Sequence, residues 1–175
     1  MKDIMNILKG LDGERKVVEI LERNGYRFVE DIYLPTRTGT TQIDSVVLTS
    51  SGVYVIEVKN IAGIVKVRDS DTWINKQGRK EYKIYNPVLQ NTGHIRNLRR
   101  ELKERVIMNN VVVFPDTTEI VKEGGGDIDR VINYKDLAEY LTGPTVLGED
   151  EINRLEDKIR GLKDKYSYLF FEHLK

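Results

Sequence analysis

Three charged residues interrupt the most apolar part of the sequence. In residues 41–60, TQIDSVVLTSSGVYVIEVKN, they are Asp44, Glu57 and Lys59. The β-branched and aromatic runs Val46-Val47-Leu48 and Val53-Tyr54-Val55-Ile56, with Val58, read as two short strands. The cluster Thr49-Ser50-Ser51-Gly52 is the turn between them. Side chains alternate along a strand, so Val53, Val55, Glu57 and Lys59 share one face and Tyr54, Ile56 and Val58 the other. A run this apolar predicts a strand covered on both sides, with Glu57 and Lys59 partly dry near its C-terminal end. An antiparallel hairpin then brings Asp44 beside Glu57. A buried ionised carboxylate costs several kcal/mol unless it is paired, hydrogen-bonded or bound to a metal. Two carboxylates and one ammonium at a strand end suit a hard divalent cation. Mg2+ takes one or two protein carboxylates and completes its octahedron with water and phosphate oxygens. A lysine beside it can hold or polarise a water, which is the chemistry of phosphodiester hydrolysis. Taken alone, Glu-x-Lys in a strand is commonly an exposed ion pair, and the neighbouring aspartate narrows that reading only in part.

The surrounding elements must position these groups. Residues 3–24 carry a helical pattern that breaks near Gly10–Gly13, with Asp12 as N-cap of a second piece and Gly25 as the stop. Leu11, Val17, Val18 and Leu21 form an apolar stripe, and Glu14 lies on it. A glutamate there needs a partner, or the dipole of its own first turn. Residues 26–34 read as the first strand and 35–40 as a mobile polar loop. Gln42, two residues before Asp44, projects from the same face and could orient a water or a phosphate, or serve as an ordinary strand-end amide.

Beyond Lys59, strands are expected at 64–67, 73–75 and 80–85, with Gly78 at the last turn and Trp73 as a packing anchor. The run Arg79-Lys80-Glu81-Tyr82-Lys83 could grip phosphate, although alternating charge on a strand edge commonly serves only to block edge pairing. Asn86-Pro87 opens a helix whose buried stripe is Ile95, Leu98, Leu102 and Val106. Gln90 and His94 share a face near its N-terminus, where backbone donors favour anions, and a solvent-facing His94 is an equal reading. Arg96, Arg99, Arg100 and Lys103 lie off the stripe, as a candidate nucleic-acid surface or a plain solvated face. Residues 111–114 read as a buried strand, 130–133 as another and 134–141 as a helix. Residues 119–129, with three consecutive glycines, read as a flexible excursion without the Lys-Ser/Thr ending of a phosphate loop.

Asp44 followed by Glu57-Val58-Lys59 resembles the signature of the PD-(D/E)xK nuclease superfamily. Gly13-Glu14, Gln42-Ile43-Asp44, Ile56-Glu57-Val58-Lys59-Asn60, Gly63, Trp73 and Asn86-Pro87-x-x-Gln90 together resemble the nuclease-related domain, or NERD, family over roughly residues 11–106. Ile43 stands where a proline is often written. The resemblance implies an α/β fold with a restriction-endonuclease-like core, a mixed central β-sheet flanked by helices. It implies Asp44, Glu57 and Glu14 as metal ligands for Mg2+, with Mn2+ able to substitute, and Lys59, Gln42 and Gln90 as the other catalytic residues. Gln90 resembles the extra glutamine of some superfamily nucleases, with His94 where a tyrosine is often found. The implied function is metal-dependent hydrolysis of DNA, with RNA left open. The alternative is an inactive nucleic-acid-binding or protein-interaction module that keeps the fold.

The chain has 175 residues, 28 basic and 28 acidic, and no cysteine. Zero net charge excludes a bulk polycation, so nucleic-acid binding must come from local patches and the metal. The absence of cysteine excludes disulfides, zinc–cysteine sites and a thiol nucleophile. No stretch approaches the roughly 18–20 apolar residues of a membrane span, and the N-terminus does not read as a secretory signal, so a cytoplasmic protein without a membrane partner is expected. The nuclease-related domain is assigned to 1–145 and a docked helical extension to 146–175. The extension carries Ile152, Leu155, Ile159, Leu162 and Tyr166 at helical spacing. Such a stripe docks on the core or pairs with a second copy, leaving monomer and homodimer both open. Tyr168, Leu169, Phe170 and Phe171 after it require cover.

Overall fold

The computed structural model describes residues 2–124 and 129–173. A long helix, α1 (Lys2–Arg23), leads into an antiparallel meander of β1 (Arg27–Pro35), β2 (Thr40–Thr49) and β3 (Gly52–Val58). The chain continues through β4 (Gly63–Val67), β5 (Thr72–Gln77) and β6 (Lys80–Tyr85) to helix α2 (Pro87–Leu102). Strands β7 (Met108–Phe114), β8 (Thr118–Lys122) and β9 (Val131–Asn133), the short α3 (Leu137–Tyr140), then α4 (Glu149–Lys165) and α5 (Phe170–His173) complete it. Among the described residues the strands form two sheets, ordered β1-β2-β3-β7-β9 and β6-β5-β4-β8. In the first, β3 pairs antiparallel with β2 and parallel with β7. The architecture is α/β with mixed sheets flanked by helices, consistent with a restriction-endonuclease-like core.

The alternation in β3 sets up both layers of the core. Val53 and Val55 pack with Leu98 and Leu102 of α2 and with Leu155 and Ile159 of α4. Tyr54 and Ile56 pack on the other side with Val17 and Leu21 of α1 and Leu137 of α3. A third cluster, including Val65, Trp73, Val112 and Phe114, joins the two sheets. The α4 stripe of Ile152, Leu155, Ile159 and Leu162 is buried, while Tyr166 is partly buried. Tyr168, Phe170 and Phe171 remain exposed and Leu169 is buried. Among the described residues no helix is long and apolar enough to cross a membrane.

Three local expectations need correction. Helix α1 runs unbroken through Gly10 and Gly13, so Asp12 pairs with Arg15 at 3.0 Å inside the helix instead of capping it. Leu11 is exposed, and the buried line is Gly13, Val17 and Leu21. The turn of α1 that meets the sheet comes so close that only a glycine fits there. A Cβ on Gly13 would lie 2.7 Å from Cβ of Asn60, whose amide donates to the Lys9 carbonyl at 2.7 Å. Finally, Thr118–Lys122 is a strand, parallel to β4, and not part of a loop. Gly125 and Gly126 of the glycine run lie outside the described residues. Gly25, with φ of 69°, ends α1 as expected.

The two glycines of α1 give a paired prediction. A Cβ on Gly10 meets nothing within 4 Å. Gly10→Ala therefore gains most of the ordinary helical advantage of alanine, about 0.5–1 kcal/mol. Gly13→Ala loses about 1–3 kcal/mol through overpacking against Asn60. Urea denaturation of both variants measures this, and equal stabilisation of the two would show that the contact is soft.

Candidate active site

The register of the meander delivers the first carboxylate. The β2–β3 ladder ends at the pair Ser45 and Ile56, and one step further Asp44 stands opposite Glu57. Beyond that end, the Val58 N–H would lack a strand partner, and it donates at 2.7 Å to Oδ2 of Asp44. On the other side of β3 the Lys59 N–H donates to the Val113 carbonyl at 2.9 Å. The last turn of the strand is thus held from both sides, and it fixes the directions of Glu57 and Lys59.

Glu57 is only 3% exposed. Its Oε1 lies 2.6 Å from Nζ of Lys59, which also donates at 3.0 Å to Oε1 of Gln90. Gln90 is placed by the start of α2. Asn86 accepts from the N–H groups of Val88 and Leu89 at 2.9 and 3.3 Å, with Pro87 at the first helical position. Asn91 then anchors the helix to the sheet, donating at 2.8 Å to both the Val55 carbonyl and Oδ1 of Asn110. His94, one turn after Gln90, is buried and not solvent-facing. Its Nδ1 is 3.3 Å from Oε2 of Glu57, but the alignment is not that of a hydrogen bond, and both atoms lack a partner among the described residues. Burial lowers the His94 pKa to about 4, so the imidazole is neutral at pH 7.

Negative charge exceeds positive charge here. Asp44 retains some exposed surface yet is almost enclosed by protein. Burial raises its pKa well above the usual carboxylate value, the charges of Glu57 and Glu14 add to that, and the Val58 N–H and Lys59 oppose it. Glu57 is also raised, by burial, against the lowering influence of Lys59. Glu14, half-buried, is raised by burial and then by Asp31, Glu57 and Glu30. The close approach of α1 at Gly13 thus brings the Glu14 charge to this cluster. Among the described residues Glu14 has no ion pair, and no three His, Asp or Glu side chains are arranged to hold a metal ion. The orphaned Oε2 of Glu57 and the raised carboxylates nevertheless suit an added cation.

The other sequence candidates fall into two groups. Gln42 lies near the site, but its amide donates at 3.0 Å to Oδ1 of Asp31. Asp31 stands opposite Asp44 in the β1–β2 register, between the pairs Glu30–Ser45 and Ile32–Ile43, and has φ of 53°. A left-handed aspartate within a strand is locally strained. Asp31 was missed in the sequence, where its signal is two successive acids inside an apolar run. Tyr33, nearby, is pushed up to about 12 by burial and by Asp31, Glu14 and Asp44. Among the described residues none of Arg96, Arg99, Arg100 and Lys103 has a hydrogen bond or ion pair with Asp44, Glu57 or Lys59. Arg99 lies beside Met108 and Asn109, and Met108 pairs with Val53 at the end of β3 remote from Glu57. Arg100 donates at 2.6 Å to the Pro35 carbonyl, and Lys103 is the left-handed C-cap of α2.

A mixed sheet with helices on both faces, and an aspartate and a Glu-x-Lys meeting at its strand ends, defines the α/β class of restriction-endonuclease-like folds. Residues 9–115 match the nuclease-related domain, and the chain belongs to that family. It is also 26% identical over 155 residues to an uncharacterized protein of Bacillus anthracis, covering 84% of this chain and 73% of that protein. The crystal structure of AF1548, a protein of unknown function, aligns over 94% of this chain and 95% of its own at 12% identity, with a TM-score of 0.38.

The raised carboxylates make stability depend on pH. A carboxyl with a higher pKa in the folded state binds more protons there than when unfolded, from about pH 4 up to that raised value. Stability therefore falls as pH rises across this span, by up to about 1.4 kcal/mol per pH unit for one group. Asp44→Asn removes this slope, so its metal-free stability relative to wild type grows as pH rises from about 4 toward the raised Asp44 pKa. His94 contributes equally to both proteins and cancels from the difference. Urea midpoints in EDTA measure it, and parallel curves for the two proteins would contradict the charge excess.

Proposed function

We propose that this protein is a divalent-metal-dependent nuclease that hydrolyses phosphodiester bonds of DNA. The observation that carries the proposal is the buried Asp44–Glu57 pair, over-supplied with negative charge and faced by a single lysine. Asp44 and Glu57 would hold the ion, with Glu14, not grouped with them as a ligand in the metal-free geometry, joining as a third carboxylate only by moving, and Mg2+ with water and phosphate oxygens fits such a donor set, Mn2+ being a substitute. Bound there, the metal supplies Lewis acidity and lowers the pKa of an attacking water.

The chain's own groups account for the rest. The Val58 N–H holds the Asp44 carboxylate in place, so this ligand needs no reorganisation. Gln90 and Glu57 fix the Lys59 ammonium between them. Lys59 orients the water that attacks phosphorus or offsets charge developing on the phosphate oxygens as the P–O bond to the leaving group breaks. His94, neutral and apart from any charge relay, walls Glu57 from solvent. Gln42 supports the site through Asp31. Neither Asp31 nor Lys59 is a nucleophile in this scheme, and no covalent intermediate is required.

Incubation with supercoiled, linear and single-stranded DNA, in Mg2+, Mn2+ or EDTA, tests the proposal. Cleavage is expected only with metal, and Glu57→Gln should reduce it at least about a hundredfold, the scale of losing an electrostatic contributor to the transition state. Lys59→Ala should fall similarly. Equal cleavage by wild type and Glu57→Gln would assign the activity to a contaminant. A folded protein that cuts none of these substrates would instead favour a binding module.

A further inference from the structure

The β5–β6 hairpin carries Lys76, Arg79, Lys80 and Lys83 with one acid, Glu81, in a chain of zero net charge. Glu81 approaches Lys66 at 3.8 Å, while the hairpin's own four cations have no ion-pair partner among the described residues. All four are exposed, with the edge strand β6 on the outside of its sheet. Charges along an edge strand also block edge-to-edge pairing. By register Lys76 and Lys83 lie on one face of the hairpin and Lys80 on the other, with Arg79 in the turn, and four unpaired cations on so short a segment point to an anionic partner.

The face of this hairpin is defined by its register. Asn75 pairs with Tyr82 and Gln77 with Lys80, so these four side chains share one face. Asn75, Gln77 and Tyr82 line a cleft of about 870 Å³ whose other walls include Lys9, Lys59 and Asn60. The wall is firm at its base. Trp73, buried beside it on the same face, donates its indole N–H to the Arg68 carbonyl at 3.0 Å, and Asn75 donates to the Ala62 carbonyl at 2.8 Å. Nearer the rim, Tyr82 is 46% exposed. An aromatic ring standing on a rigid polar wall, with cations at the hairpin tip and the catalytic lysine at the far side, has the parts of a single-strand binding groove.

Resting on the nuclease reading, we propose that this cleft is the track of a single strand of nucleic acid. Tyr82 stacks on an unpaired base, Arg79 and Lys80 at the hairpin tip hold phosphates, and the strand continues past Asn60 to Lys59. A duplex does not fit this arrangement. Its bases hide their faces from Tyr82, and its phosphates stand on a broad convex surface, whereas Glu57 is 3% exposed and Lys59 only 27%. A single strand brings both a free base to the wall and a phosphate to the recessed lysine. The cations of the track are consequently Arg79 and Lys80 at the hairpin tip, not the arginines of α2.

The test measures binding apart from cleavage. Full-length protein in a Glu57→Gln background, in EDTA, is titrated into a fluorescein-labelled single-stranded DNA 20-mer, the RNA of the same sequence and the matched DNA duplex, and anisotropy is read over a range of salt. The single strands should bind more tightly than the duplex. Tyr82→Ala should raise the single-strand Kd at least about fivefold, the lower bound for one stacked base. Arg79→Ala/Lys80→Ala should flatten the slope of log K against log salt by about 1.4, for two phosphate contacts. Arg96→Ala/Arg99→Ala should change neither quantity. Preference for the duplex, no single-strand binding, or loss of binding only in the α2 variant overturns the track. Single-strand binding that depends on Tyr82, in a protein whose wild type cuts nothing, would reject the nuclease reading and leave the track. Wild-type cleavage with hairpin variants that bind unchanged would do the reverse.

Discussion

The structure depends on a local excess of carboxylate at the end of β3. Glu57 and Glu14 add to the burial that raises the Asp44 pKa, Asp31 and Glu57 do the same for Glu14, Glu57 is raised by burial alone, and Lys59 is the cation that answers Glu57 directly. Such a cluster is costly to assemble, because each group loses water before it gains a partner. It persists because the backbone around it is over-determined. The Val58 N–H is committed to Asp44, the Lys59 N–H to Val113, and the start of α2 is capped by Asn86 and fastened to the sheet by Asn91. None of these anchors is itself placed to react. They hold in position groups that would otherwise move apart.

Stability is supplied elsewhere, which explains how the site can be unfavourable. The β3 strand buries its apolar residues in two separate clusters, and α4 closes the layer over β1 and β2. The outer rim of α4 is reinforced by ion pairs. Arg27 reaches Glu149 and Glu156 at 2.7 and 2.5 Å, and Glu104 meets both Arg154 and Lys158. Exposed pairs of this kind each contribute little, and the buried Ile152, Leu155 and Ile159 are the larger part of the docking. A dry, well-packed sheet centre with crowded carboxylates at one end is the usual division between scaffold and site.

Much of this was legible because strand periodicity is so simple. The alternation in residues 53–59 places Glu57 and Lys59 on one face and fixes which residues meet α1 and which meet α2. Asn86-Pro87 predicts its helix start because capping chemistry is local. What sequence could not supply was non-local closeness. Gly10 and Gly13 read alike as helix breakers, yet only Gly13 meets another element, and its neighbour Asn60 lies far along the chain. Asp31 gave only a weak signal, since its left-handed backbone and its position opposite Asp44 follow from the strand pairing. The arginines of α2 were placed on a plausible face, but only the packing of that helix on β7 shows that Arg99 lies beside Met108, at the end of β3 away from Glu57. The strand at Thr118–Lys122 was hidden by the adjacent glycines and appears only through its parallel pairing with β4.

Zero net charge acquires a different meaning once the charges are located. Acids are concentrated where α1, β1, β2 and β3 converge, and unpaired bases on the hairpin between β3 and α2. Gly63, with φ of 93°, lets the second sheet form directly after the site, since a Cβ there would come within 2.2 Å of the Lys76 carbonyl oxygen. That close contact ties the position of the basic hairpin to the end of β3 through only a few residues. A polyanion would therefore meet an attractive wall before it met the repulsive carboxylates, and the neutralising charge needed at the carboxylates would have to come from outside the chain. Charge separation over a short distance, and not overall basicity, is thus the electrostatic feature that zero net charge conceals.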